Sequence, residues 1–278
     1  MGVWSHAGVQ VRARRGPHHQ HTAQVATCTN RFCVQRYGRV LLVDHDLTAD
    51  ELSDELAVWL AEELVDTGAL RGQIEFESVF TGIVRSTVAG GLPSWLRFYR
   101  NSVERLENGV AAFAPIHSRA ADLVQGGQLI DLGSCFGFFP LRMARQGIEV
   151  LATDLSAPVL RLLDQVSDTM GRPLHTLRCD AAEVPLPDGS ADTVTALHLL
   201  EHLPTEAIHA VVGEAVRLAR RRVILAVPYE PEPRACYGHI QVFDSAALGE
   251  LADDVCSSHP GLSAQVSDHH GGWLIFDH

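Results

Sequence analysis

The sequence contains no lysine, because all 22 of its basic residues are arginine. This absence excludes mechanisms that depend on a Schiff-base lysine, a P-loop lysine or a lysine general base. The sequence also lacks any stretch near the roughly 18 uninterrupted apolar residues of a membrane span, and its start has no apolar signal core. We therefore expect a cytoplasmic protein with no membrane span.

Cysteine is sparse, with six residues that show no zinc-ribbon spacing. In a chain of this length with no signal sequence, isolated reduced thiols are expected instead of a disulfide framework. Acidic residues are absent from the first 43 positions, which hold six arginines, whereas the remainder has 16 arginines against 34 acids. An acidic body repels phosphate backbones, so we expect no nucleic-acid partner.

The first part of the chain divides into two predicted segments. Residues 1–31 show no periodicity and are predicted to be a disordered leader, in which His18, His19 and His21 offer only adventitious metal binding. Residues 32–126 are predicted to be a mainly helical elaboration with one short strand, Val40–Val43. Its first helix opens at the Thr48–Glu51 capping box and its second near Trp95. The use of this segment, as a lid or for dimerisation, and the oligomeric state are left open.

Residues 127–278 alternate between predicted strands and helices, an order typical of a parallel sheet with helices on both faces. The last two strands meet across Gly271 and Gly272 and predict a hairpin. The expected fold is therefore α/β, with a doubly wound, mostly parallel, seven-stranded sheet. A plain dinucleotide-binding domain has no need of the final hairpin.

The strongest motif is the strand-to-helix turn Leu129-Ile-Asp-Leu-Gly-Ser-Cys-Phe-Gly137. The dinucleotide pattern G-x-G-x-x-G, started at Gly133, fails at Cys135 and Phe138. The methyltransferase pattern, acid-x-Gly-x-Gly-x-Gly, fails only at Cys135. An acid also suits the positive charges of S-adenosylmethionine (SAM). The predicted cofactor-binding residues of the turn are Asp131, Gly133, Ser134, Cys135 and Gly137.

A second acid supports the same cofactor. Asp154 closes the second predicted strand, where a carboxylate can hold both hydroxyls of a ribose, and Leu155 follows it. The segment Asp180–Asp192 then resembles the one that follows the third strand in class I, Rossmann-like SAM-dependent methyltransferases of small molecules. This resemblance implies that Asp180 recognises the adenine amino group and that Ala181 lies beside the ring.

The catalytic residues are expected after the fourth strand, in His198-Leu-Leu-Glu-His202. As H-x-x-E-H this is the signature of inverted zincin proteases, but those need a helix, and here a strand and Pro204 flank the motif. The segment also resembles the loop after strand four of SAM methyltransferases, which implies that His198 lines the cofactor and that Glu201 and His202 approach the acceptor. In quinol O-methyltransferases an acid-x-x-Glu-His arrangement holds a divalent cation. His198 replaces that acid, so Mg²⁺, which prefers oxygen ligands, remains an open question.

Transfer of a methyl group to a hydroxyl needs a base for the hydroxyl proton, and histidine suits neutral pH. His202 is the first choice, oriented by Glu201, with His239 and then His269 or His270 as alternatives. His117 is a further candidate, for covering the cofactor. For each histidine a purely structural role has equal weight.

Residues 32–278 resemble the mycofactocin-oligosaccharide methyltransferases of actinobacteria. The segments that carry this resemblance are Val43–Leu47, Val79–Gly82, Phe98–Asn101, Phe113–His117, Asp131–Phe139 and His269–Trp273. The resemblance implies O-methylation of a glucose in an oligosaccharide attached to a peptide-derived redox cofactor. A quinol or polyketide O-methyltransferase and a catalytically silent scaffold of the same fold are the alternatives.

Overall fold

A computed structural model describes residues 3–14 and 26–278. The chain forms two compact units, one of Met1–Arg105 with Ala235–Gly238 and one of Leu106–Arg234 with His239–His278. The first unit thus ends ahead of residue 126, the boundary predicted from the sequence. Within the described ranges no helix combines the length and apolarity of a membrane span.

The first unit contains a five-stranded sheet. Its strands are β1 (Trp4–His6), β2 (Val9–Ala13), β3 (Ala26–Cys28), β4 (Phe32–Tyr37) and β5 (Val40–His45), in the order β1-β2-β5-β4-β3. β2 and β5 are parallel, and the other neighbouring pairs are antiparallel. Only β5 was predicted, in part. Residues 32–126 contain β4 and β5 but are mainly helical, as expected, whereas β1, β2 and β3 lie in the segment that was predicted to be a leader.

The prediction of a disordered leader is wrong for its described residues. Val9 and Val11 alternate along β2 and are buried, at 5% and 0% exposure, which is the period-two pattern of a strand with one buried face. Arg12 forms a bidentate pair with Asp44 on β5, at 2.7 and 2.9 Å. The acid that neutralises this arginine is therefore 32 positions away in the sequence, so the residues near Arg12 give no indication of it. Residues 15–25, with the three leader histidines, lie outside the described residues.

The helices of the first unit are α1 (Glu55–Leu60), continued by a π-helical turn at Ala61–Val65, α2 (Gly72–Thr87) and α3 (Gly91–Glu107). Only half of the predicted capping box forms: the Glu51 carboxylate accepts from the Thr48 N–H at 2.9 Å and from the Thr48 hydroxyl at 2.8 Å. The helix begins only at Glu55. α2 was not predicted, whereas α3 confirms the helix expected near Trp95. Cys28 and Cys33 form a disulfide across β3 and β4, so the expectation of reduced thiols is wrong for these two residues.

The second unit contains the predicted seven-stranded sheet. Its strands are β6 (Gln128–Leu132), β7 (Glu149–Asp154), β8 (His175–Arg178), β9 (Ala191–Leu197), β10 (Ala219–Val227), β11 (Ser263–Asp268) and β12 (Gly272–Asp277). The flanking helices are α4 (Ala114–Leu123), α5 (Phe138–Arg145), α6 (Ala157–Met170), α7 (Thr205–Leu218) and α8 (Ser245–Ser258). The strand order is β11-β12-β10-β9-β6-β7-β8, and only β12 runs against the others. The fold class and the final hairpin are confirmed.

The strand order places a crevice at the carboxyl edge of this sheet. The chain moves outward from β6 to β7 and β8, then returns to the other side of β6 with β9. In doubly wound sheets the connections on the two sides of such a reversal lie on opposite faces, and ligands bind between them. The turn after β6 and the segment after β9 flank this point, and both carry the predicted site residues.

Candidate active site

The turn between β6 and α5 needs left-handed backbone at three alternate residues. Gly133, Cys135 and Gly137 have φ angles of 67°, 48° and 69°. A Cβ on Gly133 would lie 2.6 Å from Cδ1 of Leu199, and a Cβ on Gly137 would overlap the side chain of Leu163. Glycine is therefore required at both positions by conformation as well as by space.

Cys135 explains the single mismatch with the methyltransferase pattern. It adopts the left-handed conformation that a glycine would adopt without strain, at a cost of about 1–2 kcal/mol for a residue with a Cβ. Its side chain is exposed, and its N–H donates to Oδ2 of Asp154 at 2.9 Å. The backbone of the turn is therefore the glycine-type backbone, although one residue is cysteine.

Asp154 is anchored at the end of β7, directly beside this turn. Its second oxygen, Oδ1, accepts a hydrogen bond from the Ser156 N–H at 2.8 Å. The two backbone donors fix the carboxylate and leave lone pairs on both oxygens, since each carboxylate oxygen can accept two hydrogen bonds. Leu155, the next residue, is 64% exposed.

Asp131 is buried, at 4% exposure. Burial raises the pKa of its carboxyl to about 6, and the nearby charge of Asp154 acts in the same direction. The hydroxyl of Thr195 on β9 opposes that shift by donating a 2.5 Å hydrogen bond to Oδ1. This hydrogen bond thus links β6 to β9 beside the crevice.

Asp180 follows β8 in an exposed loop, and its Oδ1 accepts from the N–H of Ala182 at 2.9 Å. Ala181 between them is half-buried. The carboxylate therefore stabilises its own loop, and the residue is exposed to solvent.

The segment after β9 begins with a second left-handed turn. His198 has φ of 57°, and its N–H donates to the Ala226 carbonyl at 2.8 Å. Its ring meets Phe113 edge-on at 5.3 Å. His117 meets Phe139 in the same way at 5.7 Å, and burial, followed by the charges of Arg142 and His198, lowers the pKa of His117 to about 3. His117 is therefore neutral at working pH and unsuited to be a cationic group.

The metalloprotease alternative is wrong. His198 lies at the end of a strand, and only Leu200–His202 forms a turn of 3₁₀-helix. An H-x-x-E-H zinc site needs both histidines one turn apart on an α-helix.

Glu201, His202 and His239 come together, although His239 is 37 positions further along the chain. One ligand atom from each of the three lies within 4.8 Å of those of the other two. The rings of His202 and His239 are 4.8 Å apart and perpendicular. The backbone N–H groups of Ile240 and Gln241 both donate to the Glu201 carbonyl, at 2.8 and 3.1 Å, which holds the two segments together. We call these three residues the Glu–His–His cluster.

Two of the candidate histidines lie apart from this cluster in their interactions. His269 and His270 stack edge-on with each other at 4.8 Å, and the His269 carbonyl accepts from Nε1 of Trp273 at 2.8 Å. His270 takes a left-handed φ of 52° in the turn before β12. These contacts give both residues a structural role in the hairpin turn.

Comparison with known proteins supports the same chemistry. Residues 130–227 match the family model described as a methyltransferase domain. No curated protein gives a significant match to the sequence.

Solved structures agree in fold. A protein of Pyrococcus horikoshii is similar with a TM-score of 0.50 at 13% identity, over 59% of this chain and 88% of that one. A SAM-dependent methyltransferase of Aquifex aeolicus has a TM-score of 0.48 at 13% identity, over 63% and 97%. The SAM-bound magnesium protoporphyrin IX methyltransferase of Synechocystis PCC 6803 has 0.46 at 18%, over 83% and 96%. At such identities the similarity concerns the fold.

The match of residues 130–227 to a methyltransferase domain indicates an enzyme that transfers methyl groups. The matched segment begins in β6 and ends with β10, so it contains the turn, both of its acidic neighbours and the start of the Glu–His–His cluster. His239 lies beyond it. Two residues of the methyltransferase site were not found from the sequence: Thr195, a strand residue with no motif, and Glu230, whose Oε2 lies 2.8 Å from Nδ1 of His239.

Proposed function

We propose that SAM binds across the carboxyl edge of the second sheet. Asp154 takes the two ribose hydroxyls, Asp180 the adenine amino group, and Asp131 the ammonium end. The left-handed turn from Gly133 through Ser134 and Cys135 to Gly137 lets the backbone approach the cofactor without side chains in the way. Leu155, Ala181 and His198 complete the lining. The rigid anchoring of Asp154 by two N–H groups is the main support for this arrangement.

We infer that the acceptor is a hydroxyl of a small molecule. The observation that carries this inference is the Glu–His–His cluster, which follows directly on the segment whose Leu199 faces Gly133. A hydroxyl loses its proton as the methyl group arrives, and an imidazole beside a carboxylate is suited to accept that proton. His202 is our candidate base within the cluster, because Nδ1 of His239 is already held by Glu230. Positioning of the two reactants contributes the larger part of the rate gain.

We propose a glucose hydroxyl in a mycofactocin-type oligosaccharide as the specific acceptor. This identification is supported by the segments that resemble the mycofactocin methyltransferases, which fall in both units, among them Val79–Gly82 and Asp131–Phe139. The mismatch at Cys135 is consistent with it, since the backbone there has the conformation the site needs. Under this proposal residues 127–278 bind SAM and the earlier residues serve acceptor recognition or assembly in the cytoplasm.

The test is transfer of a labelled methyl group from SAM to a panel of acceptors. We expect methylation of glucose-containing oligosaccharides linked to a peptide-derived aglycone and none of quinols or catechols of similar size. Mass spectrometry of the product then gives the methylated position.

The same assay separates the alternatives. Methylation of quinols or polyketide phenols alone would replace the sugar acceptor with an aromatic one. SAM binding with no transfer to any member of the panel, combined with retention of partner enzymes, would favour the scaffold. No SAM binding at any concentration would remove the basis for all three.

A further inference from the structure

The carboxylate of Glu201 is completely buried, at 0% exposure. Within the described residues neither of its oxygens accepts a hydrogen bond. Nδ1 of His198 lies 3.1 Å from Oε1, and Nε2 of His239 lies 4.0 Å from the same oxygen. A buried charge without hydrogen bonds requires compensation by an opposite charge. This carboxylate therefore accepts no hydrogen bond but has the His198 imidazole at ion-pair distance and those of His202 and His239 within 4.8 Å.

His239 is oriented in the way that metal-bound histidines are. Its Nδ1 lies 2.8 Å from Oε2 of Glu230, so Nδ1 carries the proton and donates it to that carboxylate. Nε2, on the opposite side of the ring, then presents a lone pair towards Glu201. Histidines that bind metals usually donate the other ring N–H to a carboxylate in this manner. A lone pair and a carboxylate oxygen facing each other at 4.0 Å are suited to a cation between them.

The spacing of the cluster suits an ion of small radius. Bonds of roughly 2.1 Å in a tetrahedral site separate two ligand atoms by about 3.4 Å. The ligand atoms of Glu201, His202 and His239 lie within 4.8 Å of one another, so they would have to approach by at most about 1.4 Å to reach this separation. The backbone hydrogen bonds from Ile240 and Gln241 to Glu201 hold the two segments at this distance.

We propose that Glu201, His202 and His239 bind one divalent transition-metal ion. Two imidazole nitrogens and one carboxylate favour Zn²⁺, Fe²⁺ or Mn²⁺ over Mg²⁺, which prefers oxygen. His198, placed in this role by its sequence resemblance to quinol methyltransferases, is replaced by His239 in this ligand set, and its Nδ1 lies 3.1 Å from Oε1 of Glu201.

The site has a role that rests on the proposed function. A three-ligand site keeps a position open for the acceptor oxygen, and the ion lowers the pKa of a bound hydroxyl. The acceptor oxygen then bonds to the methyl carbon, the sulfonium–methyl bond breaks to leave S-adenosylhomocysteine, and the hydroxyl proton passes to solvent. In the metal-bound protein His202 and His239 are ligands, so the ion takes over the work assigned to an imidazole base.

The experiment measures metal binding directly. The full-length protein is stripped with a chelator and titrated with Zn²⁺, Mn²⁺ and Mg²⁺, with elemental analysis for stoichiometry and calorimetry for affinity. We expect one Zn²⁺ per chain, and at least 100-fold weaker binding in Glu201→Gln and in His239→Ala. Glu230→Gln, which alters only the group behind His239, should weaken binding 10- to 100-fold.

Three controls make the result specific. His209→Ala removes an exposed histidine of α7, and a triple alanine variant at His18, His19 and His21 removes the other histidine-rich segment; both should retain the ion. SAM affinity should stay within twofold in every variant, which shows that the fold survives. Absence of a stoichiometric ion, or an ion whose affinity does not change in Glu201→Gln and His239→Ala, would overturn the proposal.

The outcomes also separate this site from the proposed function. If the ion binds at the cluster but no hydroxyl acceptor is methylated, the metal site stands and the acceptor proposal fails. If methylation proceeds in chelated protein with its rate unchanged, and no ion binds, the imidazole base stands and the metal proposal fails.

Discussion

The acidic residues on the proposed cofactor side of the second sheet differ in their hydrogen bonds from the one on the proposed acceptor side. Asp154 and Asp180 each accept hydrogen bonds from neighbouring backbone N–H groups, and Asp131 accepts one from Thr195. Glu201 accepts none from the described residues, although it is more deeply buried than any of them. The cofactor side is therefore complete in itself, whereas the acceptor side has a buried charge that suits a further positive group. Under the proposed roles, the cofactor side is built in advance and the acceptor side depends on what it binds.

The sharpest test of the preformed side is Asp154. Replacement by alanine should weaken SAM binding by more than 100-fold, because two charge-assisted hydrogen bonds to ribose, about 1.5–3 kcal/mol each, are lost together with the anchor of the Cys135 N–H. Calorimetry measures the affinity. Asp168→Ala, which removes an exposed acid from α6, is the matched control and should bind as the unmodified protein does. Equal binding by both variants would contradict the ribose assignment.

The need for glycine in the turn can be separated into strain and space. Gly137→Ala should lower the free energy of unfolding by about 2–5 kcal/mol, because a left-handed residue with a Cβ costs about 1–2 kcal/mol and overlap with Leu163 adds about 1–3. Gly147 is also left-handed, at φ of 84°, but a Cβ added there would meet nothing within 4 Å. Gly147→Ala therefore serves as the comparison. It should therefore cost only the first part. Chemical denaturation of both variants tests this, and equal losses would show that Leu163 moves freely.

The buried Asp131 predicts a pH dependence of stability. Its pKa, raised to about 6 in the folded protein from an ordinary value near 3.8, means that the fold favours the neutral carboxyl. This contribution is fully present below about pH 4 and is lost as the pH rises through about 6. Asp131→Asn should remove that dependence, so its stability relative to the unmodified protein should rise by up to about 3 kcal/mol between pH 4 and pH 7. Denaturation curves across this range measure the difference, and parallel curves would contradict it.

The same titration couples to the cofactor. If the ammonium of SAM lies near Asp131, binding favours the ionised carboxylate, so SAM affinity should fall as the pH drops below about 6. Asp131→Asn should bind SAM more weakly at pH 8 and with little change down to pH 5. Calorimetry at several pH values compares the two proteins.

The smallest effect is expected at Cys135. Cys135→Gly removes left-handed strain but adds backbone entropy to the unfolded chain, so a net gain of about 0.5–1 kcal/mol is expected. SAM affinity should stay within a few-fold, because the N–H to Asp154 is retained. A large loss of affinity would instead assign the thiol a direct contact with the cofactor.

The two units also differ in how far local patterns predicted them. In the second unit the ends of α6 were placed correctly at Ser156 and Met170, although the Ser156 side chain makes no capping hydrogen bond. The stop signal, left-handed Gly171, lies next to the helix that it ends. In the first unit Val9, Val11 and Arg12 found their partners on β5, about 32 positions away, and no local signal points there. α2 was missed for a related reason, since it begins without a capping side chain.

The sequence alone determined the fold class, the cofactor and the positions of the turn glycines and of Asp154, because these follow from periodicity and from residues close together in the chain. Only the tertiary structure decided the rest. It brought His239, which is held by Glu230, towards Glu201, placed Nδ1 of His198 at 3.1 Å from the same carboxylate, and buried Asp131 against Thr195. Burial and contacts between distant parts of the chain set the charge state and the partners of these groups, and the spacing of residues in the sequence predicts neither.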